Sequence, residues 1–111
     1  MALKKLRCFN SGTISAGSYW EKQFAPPEDW RIKHIWLSER SGANLYNAQI
    51  YIKLGDDLIT DDFAPARHFH LESRNPVEVG RDVPKGTNIY VKVTNNESSD
   101  INVDLCFELE E

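Results

Sequence analysis

The chain has 111 residues, 41% of them hydrophobic and 27% charged, with a formal net charge of -4. That length supports one hydrophobic core and leaves no room for a second domain of ordinary size. The acidic balance excludes a broad electrostatic hold on nucleic-acid phosphates, and no apolar run reaches the roughly 18 residues that a membrane-spanning helix needs, so neither nucleic acid nor membrane is an expected partner.

The chain opens with MALKKLR, where Lys4, Lys5 and Arg7 gather positive charge, whereas its far end, FELEE, is acidic. Residues 1–7 read either as a basic amino-terminal arm or as a first strand, ahead of a β-sandwich domain over 8–111. YWEKQF is strand-like, and RIKHIWLS follows it. In RIKHIWLS one parity holds Ile32, His34 and Trp36 and the other Ile35 and Leu37, so both faces become apolar toward its end. A second apolar face needs cover: a loop of the same chain, a carbohydrate ring stacked on tryptophan, or another protein chain. Among the functional readings aromatic-rich patches favour the last.

Next, LYNAQIYIKL places Tyr46, Ala48, Ile50, Ile52 and Leu54 on one side and Leu45, Asn47, Gln49, Tyr51 and Lys53 on the other, between the turns SGAN and GDD. LITDDF and the surroundings of PVEV are shorter strand-like stretches. Val83-Pro84-Lys85-Gly86 suits a type I turn. Two strongly alternating strands close the chain, TNIYVKVTN and INVDLCFELE, and the polar turn NNESSD predicts a hairpin between them. No window sustains helical spacing. Eight or nine short strands predict an all-β, single-domain antiparallel sandwich, a jelly roll in preference to an immunoglobulin-like fold.

Candidate chemistry centres on RHFH. His68 and His70 share a strand face, which is how a β-barrel offers two imidazoles to a metal, and the stretch resembles cupins. The cupin pattern then requires a glutamate four or five residues on and a third histidine after Pro-x-Gly. Here Arg74 and Asn75 occupy the first positions, with Glu72 and Glu78 out of step, and Ile89 follows Pro84-Lys85-Gly86. The expectation is therefore no metal site and no cofactor, with a cupin-like metal protein as the third reading of function. Asp56, Asp57, Asp61 and Asp62 lack the spacing of a calcium loop and read as a solvated tip that guards a sheet edge. No nucleophile elbow or phosphate-binding glycine pattern is present, so no catalytic residues and no enzyme are expected. Cys8 and Cys106 lack CxxC spacing and read as free thiols unless the fold brings them together.

The basic start, the body from SGTISAGSYWEKQF through VPKGTNIYVKVTNNESSDINVDLCFELE, and the lack of a catalytic set or leader segment resemble the small jelly-roll decoration proteins of tailed viruses. The resemblance is one of pattern across the chain. It implies a structural protein on the virion surface, made in the host cytoplasm and not secreted, that binds the major capsid protein as a homo-oligomer, commonly a trimer. Lys4, Lys5 and Arg7 would then face the capsid, and Trp20, Trp36 and Leu37 would meet between protomers. The alternative from another class is a carbohydrate-binding module in which surface tryptophan or tyrosine stacks on a sugar.

Overall fold

The computed structural model describes residues 4–41, 45, 47–55, 57–58, 64–65 and 77–110. They form nine strands: β1 (Lys4–Ile14), β2 (Tyr19–Phe24), β3 (Trp30–Glu39), β4 (Ala48–Leu54), β5 (Asp57–Leu58), β6 (Ala64–Pro65), β7 (Val77–Val83), β8 (Ile89–Asn95) and β9 (Ile101–Glu110). Every pairing is antiparallel, in one sheet of order β1-β9-β3-β7 and another of order β2-β8-β4-β5, with β6 also on β4. The chain changes sheet at each step from β1 to β4 and again from β6 to β9. The two sheets pack face to face as a sandwich, as the strand count and alternation predict, and their strand order is that of a jelly roll.

The hairpin expected from the last two strands does not form. β8 pairs with β2 and β4, β9 with β1 and β3, and the NNESSD turn carries the chain from one sheet to the other. Local alternation was right, because β8 and β9 each bury every second residue. Partner choice was set by the other sheet strands, which period-2 patterning does not encode.

Asn95 holds this crossover. Its side chain is 0% exposed, yet Nδ2 donates to the carbonyls of Ile14 (2.9 Å) and Ser99 (3.0 Å), and Oδ1 accepts from the Glu97 N–H at 2.9 Å. Its backbone N–H donates to the Ser18 carbonyl and its carbonyl accepts from the Gly17 N–H. A buried amide with this much hydrogen bonding ties the β1–β2 turn to the β8–β9 crossover.

The core lies between the inner faces, where Ile32, Ile35 and Leu37 meet Ile50, Ile52, Val91, Val93, Val103, Leu105 and Phe107, none more than 1% exposed. On β3 the expected parity fails. A register shift between Ile32 and His34 inserts Lys33 as an extra residue, so Ile32, Ile35 and Leu37 all turn inward while His34 and Trp36 turn outward. The strand therefore has one apolar face. On β1 a second irregularity lies between Asn10 and Thr13, where Gly12 takes a φ of 69° and its N–H is held by Asn10 Oδ1 at 2.9 Å.

Two further expectations need correction. The turn before β8 runs one residue later than predicted, with the Thr87 N–H donating to the Pro84 carbonyl and Gly86, at a φ of 84°, in its third position. That is the place where a type II turn requires positive φ. Cys8 and Cys106 are bridged rather than free. Antiparallel pairing of the first and last strands sets them directly opposite, with Cα atoms 4.1 Å apart, a proximity that spacing of 98 residues along the chain conceals.

Candidate functional site

β1 is an edge strand: among the described residues it pairs along one side only, with β9. Lys4 lies opposite Glu110, Lys5 opposite Leu109 and Arg7 opposite Phe107, so residues 4–7 belong to the first strand and not to a detached arm. For residues 4–7 the strand is the reading the structure describes, and residues 1–3 lie outside the described residues. Its pleat puts Leu6, Cys8 and Asn10 on the outer face and Arg7 and Phe9 on the side of the second sheet. Leu6 is 57% exposed. A lone surface leucine is ordinary, but here it stands on a strand whose second row of backbone N–H and C=O groups is open to pairing.

Beside that edge runs a groove of about 510 Å³, bordered by Leu6, Arg7, Phe9, Phe24, Pro27 and Trp30. It exists because β1 and β2 are the edge strands of different sheets and do not pair with each other. An aromatic cluster forms its base: Phe9 to Phe24 at 4.6 Å between centroids, Phe24 to Trp30 at 5.8 Å, and Phe107 within 6.3 Å of Phe9 and Trp30. Lys22 Nζ lies 5.0 Å from the Phe9 centroid, which draws a cation onto the same aromatic surface. Trp30 is 5% exposed, and its Nε1 is buried with no acceptor among the described residues. A buried indole N–H without an acceptor is costly.

The predicted partner-binding residues separate. Lys4, Lys5 and Arg7 fall on the β1 edge, but Leu37 is 0% exposed in the core, because the Lys33 bulge turns it inward, and it offers nothing to a partner. Trp20 is half-buried and packs against the core from β2, so it is not the free ring that the sequence suggested. Trp36 does face outward, 6.5 Å from His34. His34 Nδ1 in turn lies 3.4 Å from Oε2 of Glu108, which is only 7% exposed. Phe9, Phe24, Trp30 and Leu6, which border the groove, were not among the predicted contact residues. The alternation of LKKLRCF was a usable signal for the first strand, whereas the groove depends on which strands become edges.

Among the described residues no group of three or more His, Cys, Asp or Glu could hold a metal. His68 and His70, and the carboxylates of Asp56, Asp57, Asp61 and Asp62, lie outside what is described. Among the described residues no helix is long and apolar enough to cross a membrane.

The outer face of the second sheet is different in kind. Tyr19, Tyr51 and Tyr90 stand there on three adjacent strands, alternating with the buried Ile50, Ile52, Ile89 and Val91. Tyr90 hydroxyl donates to Glu21 Oε2 at 2.6 Å. This bond to a carboxylate, with a contribution from burial, pushes the Tyr90 phenol up to about 12.

A jelly-roll sandwich with an open edge and an aromatic groove is thus the class that fold and site define. No family model matches the chain, and no curated protein matches it. Among solved structures it is similar to a Yersinia pseudotuberculosis-derived mitogen, with a TM-score of 0.52 and 14% sequence identity over 95% of this chain and 86% of the mitogen's. Likeness at that identity concerns the fold alone.

Proposed function

We propose that this chain is a non-enzymatic assembly protein of the capsid-decoration kind, which attaches to the outer surface of a tailed-virus capsid through the β1 edge. The observation that carries the reading is the juxtaposition on that edge of open strand backbone, the exposed Leu6, the cationic Lys4, Lys5 and Arg7, and the adjoining aromatic groove. An extended segment of the major capsid protein can add to β1 as a further strand, with main-chain hydrogen bonds giving affinity and side chains in the groove giving specificity. Positive residues on an otherwise acidic chain favour an acidic partner surface. The Cys8–Cys106 bridge suits a virion surface, one of the oxidising settings in which disulfides persist. A homotrimer on the capsid is part of the proposal, with Trp36, half-buried on the outer face of β3, the predicted inter-protomer residue that does not lie in the core.

The test begins with the gene's neighbours, which should encode capsid, portal or maturation protease and so supply the capsid to use. Wild-type protein should co-sediment with capsids of that major capsid protein. Leu6→Asp and Arg7→Glu should each weaken co-sedimentation at least tenfold while the melting temperature moves by only a few degrees. Capsids that ignore the wild-type protein, or variants that bind unchanged, would remove the β1 edge from consideration.

A further inference from the structure

The tyrosine face of the second sheet lies apart from the β1 edge and plays no part in the proposal above. Cross-strand registers place Tyr19 opposite Thr94, Glu21 and Tyr51 both opposite Lys92, and Gln23 and Lys53 both opposite Tyr90. The three aromatic residues therefore occupy one patch over three consecutive strands, interleaved with amides, amines and a carboxylate. Tyr51 and Tyr90 meet edge to face, with centroids 5.9 Å apart, and Lys92 Nζ lies 4.3 Å from the Tyr19 centroid. Tyr19 is 54% exposed.

Such a surface is not an apolar protein-docking patch, since every ring is bordered by hydrogen-bonding groups. The edge-to-face pair of Tyr51 and Tyr90 also supports strand pairing, while Tyr19 stands exposed beside it. The chemistry of the face suits a ligand that is itself two-sided, with flat C–H surfaces to lie on rings and hydroxyls around its rim to meet Gln23, Gln49 and Lys53. A pyranose chain has that character. The charge of the patch refines the choice. On the described face Lys53 and Lys92 outnumber Glu21, which leaves an excess of one positive charge there on a chain of net charge -4. Ligand carboxylates complement it.

We infer that the outer face of β2, β8 and β4 is a binding surface for an acidic polysaccharide, with Tyr19, Tyr51 and Tyr90 as the stacking platform and Lys53 as the carboxylate-facing cation. The strands fix the rings before binding, so little ordering is left for the complex to require. Attraction to carboxylates across an open face falls with added salt.

Polygalacturonate oligomers, titrated by calorimetry into the full chain at low and at high salt, test the assignment against a neutral glucan of similar length. The expected result is saturable binding to the polyuronate, weakened at least tenfold by Tyr19→Ala or by Lys53→Gln, weakened further at high salt, and not matched by the glucan. A melting curve on each variant separates loss of binding from loss of fold, Tyr19 being 54% exposed and Lys53 on the outer face of β4. Lack of polyuronate binding, binding indifferent to both substitutions, or equal binding of the neutral glucan overturns the inference. Capsid attachment through β1 would survive any of those results.

Discussion

The two outer faces of the sandwich share a pleat and an alternating sequence, yet they solve the problem of facing water differently. On the β1-β9-β3 face, polar groups are tied to one another: a disulfide joins Cys8 to Cys106, Arg40 makes a two-point contact with Asp104 at 2.7 and 3.0 Å, and Asn10 reaches both Asn102 and Asp104. On the β2-β8-β4 face the larger groups are rings, and the short polar contact is that of Tyr90 with Glu21. The first face is cross-linked around the last strand; the second is joined through its rings, Tyr51 meeting Tyr90 and Lys92 lying on Tyr19. A strand's alternation tells which residues point outward, but what an outward residue does depends on the two strands that happen to lie beside it.

The sharpest way to break the contrast is to cut the cross-link. Replacing Cys8 and Cys106 together with serine should cost about 2–5 kcal/mol, since the bridge closes a loop comprising most of the chain. For a domain of this size that is a fall in melting temperature of roughly 10 °C or more. Reductant should destabilise the wild type to the same extent and leave the double variant unaffected. A variant as stable as the wild type would mean that β1 is held by pairing alone.

Next in size is the Asn95 crossover, which serves both sheets at once. Asn95→Ala removes two donors and one acceptor from a buried site and leaves the Ile14 carbonyl and the Glu97 N–H without that partner. A loss of about 2–3 kcal/mol in urea unfolding is expected. Ligand or capsid binding by the folded fraction should be unchanged, because Asn95 lies in neither surface.

These two sites also mark the limit of what the sequence disclosed. Strand existence was legible almost throughout, because INVDLCFELE and AQIYIKL alternate so cleanly that the inward residues could be named one by one. What could not be read was adjacency. The Cys8–Cys106 bridge and the β1 groove require knowing that the first and last strands are neighbours, and the failed hairpin at NNESSD shows that chain proximity was the wrong guide. Lys33 illustrates a second limit: one bulged residue moved Leu37 from a predicted contact to the core. Asn95 looked like turn material in NNESSD, and its burial follows only from the sheet change it anchors.

Smaller effects separate the faces by pH. Hydrogen bonding to Arg40 holds the Asp104 carboxyl below its ordinary range, against the opposing effect of burial, with Asn10 adding to the first. A carboxyl whose folded pKa is depressed stabilises the fold above its unfolded value and ceases to do so as pH falls through the folded one. Stability of the wild type should therefore decline on acidification through and below the usual carboxylate range, and Asp104→Asn should decline less steeply there. Identical slopes in denaturant melts across that range would show that the Arg40 contact carries no weight in solution.

The opposite face should respond to alkali. Tyr90 donates to a carboxylate, which is possible only while the phenol keeps its proton, so ionisation is deferred from about 10 to about 12. A folded pKa raised in this way contributes stability that is complete below the unfolded value and disappears as pH rises through the folded one. Absorbance near 295 nm reports the phenolate, and subtracting the titration of Tyr90→Phe from that of the wild type isolates this one ring. The difference curve should have its midpoint near 12. Glu21→Gln keeps the ring and the strand pairing but removes the anionic acceptor, so the midpoint should fall toward the ordinary tyrosine value. A wild-type midpoint already near 10 would mean that Glu21 leaves the hydroxyl to solvent, and the second face would then lack this short polar tie, widening rather than narrowing the difference between the two sheets.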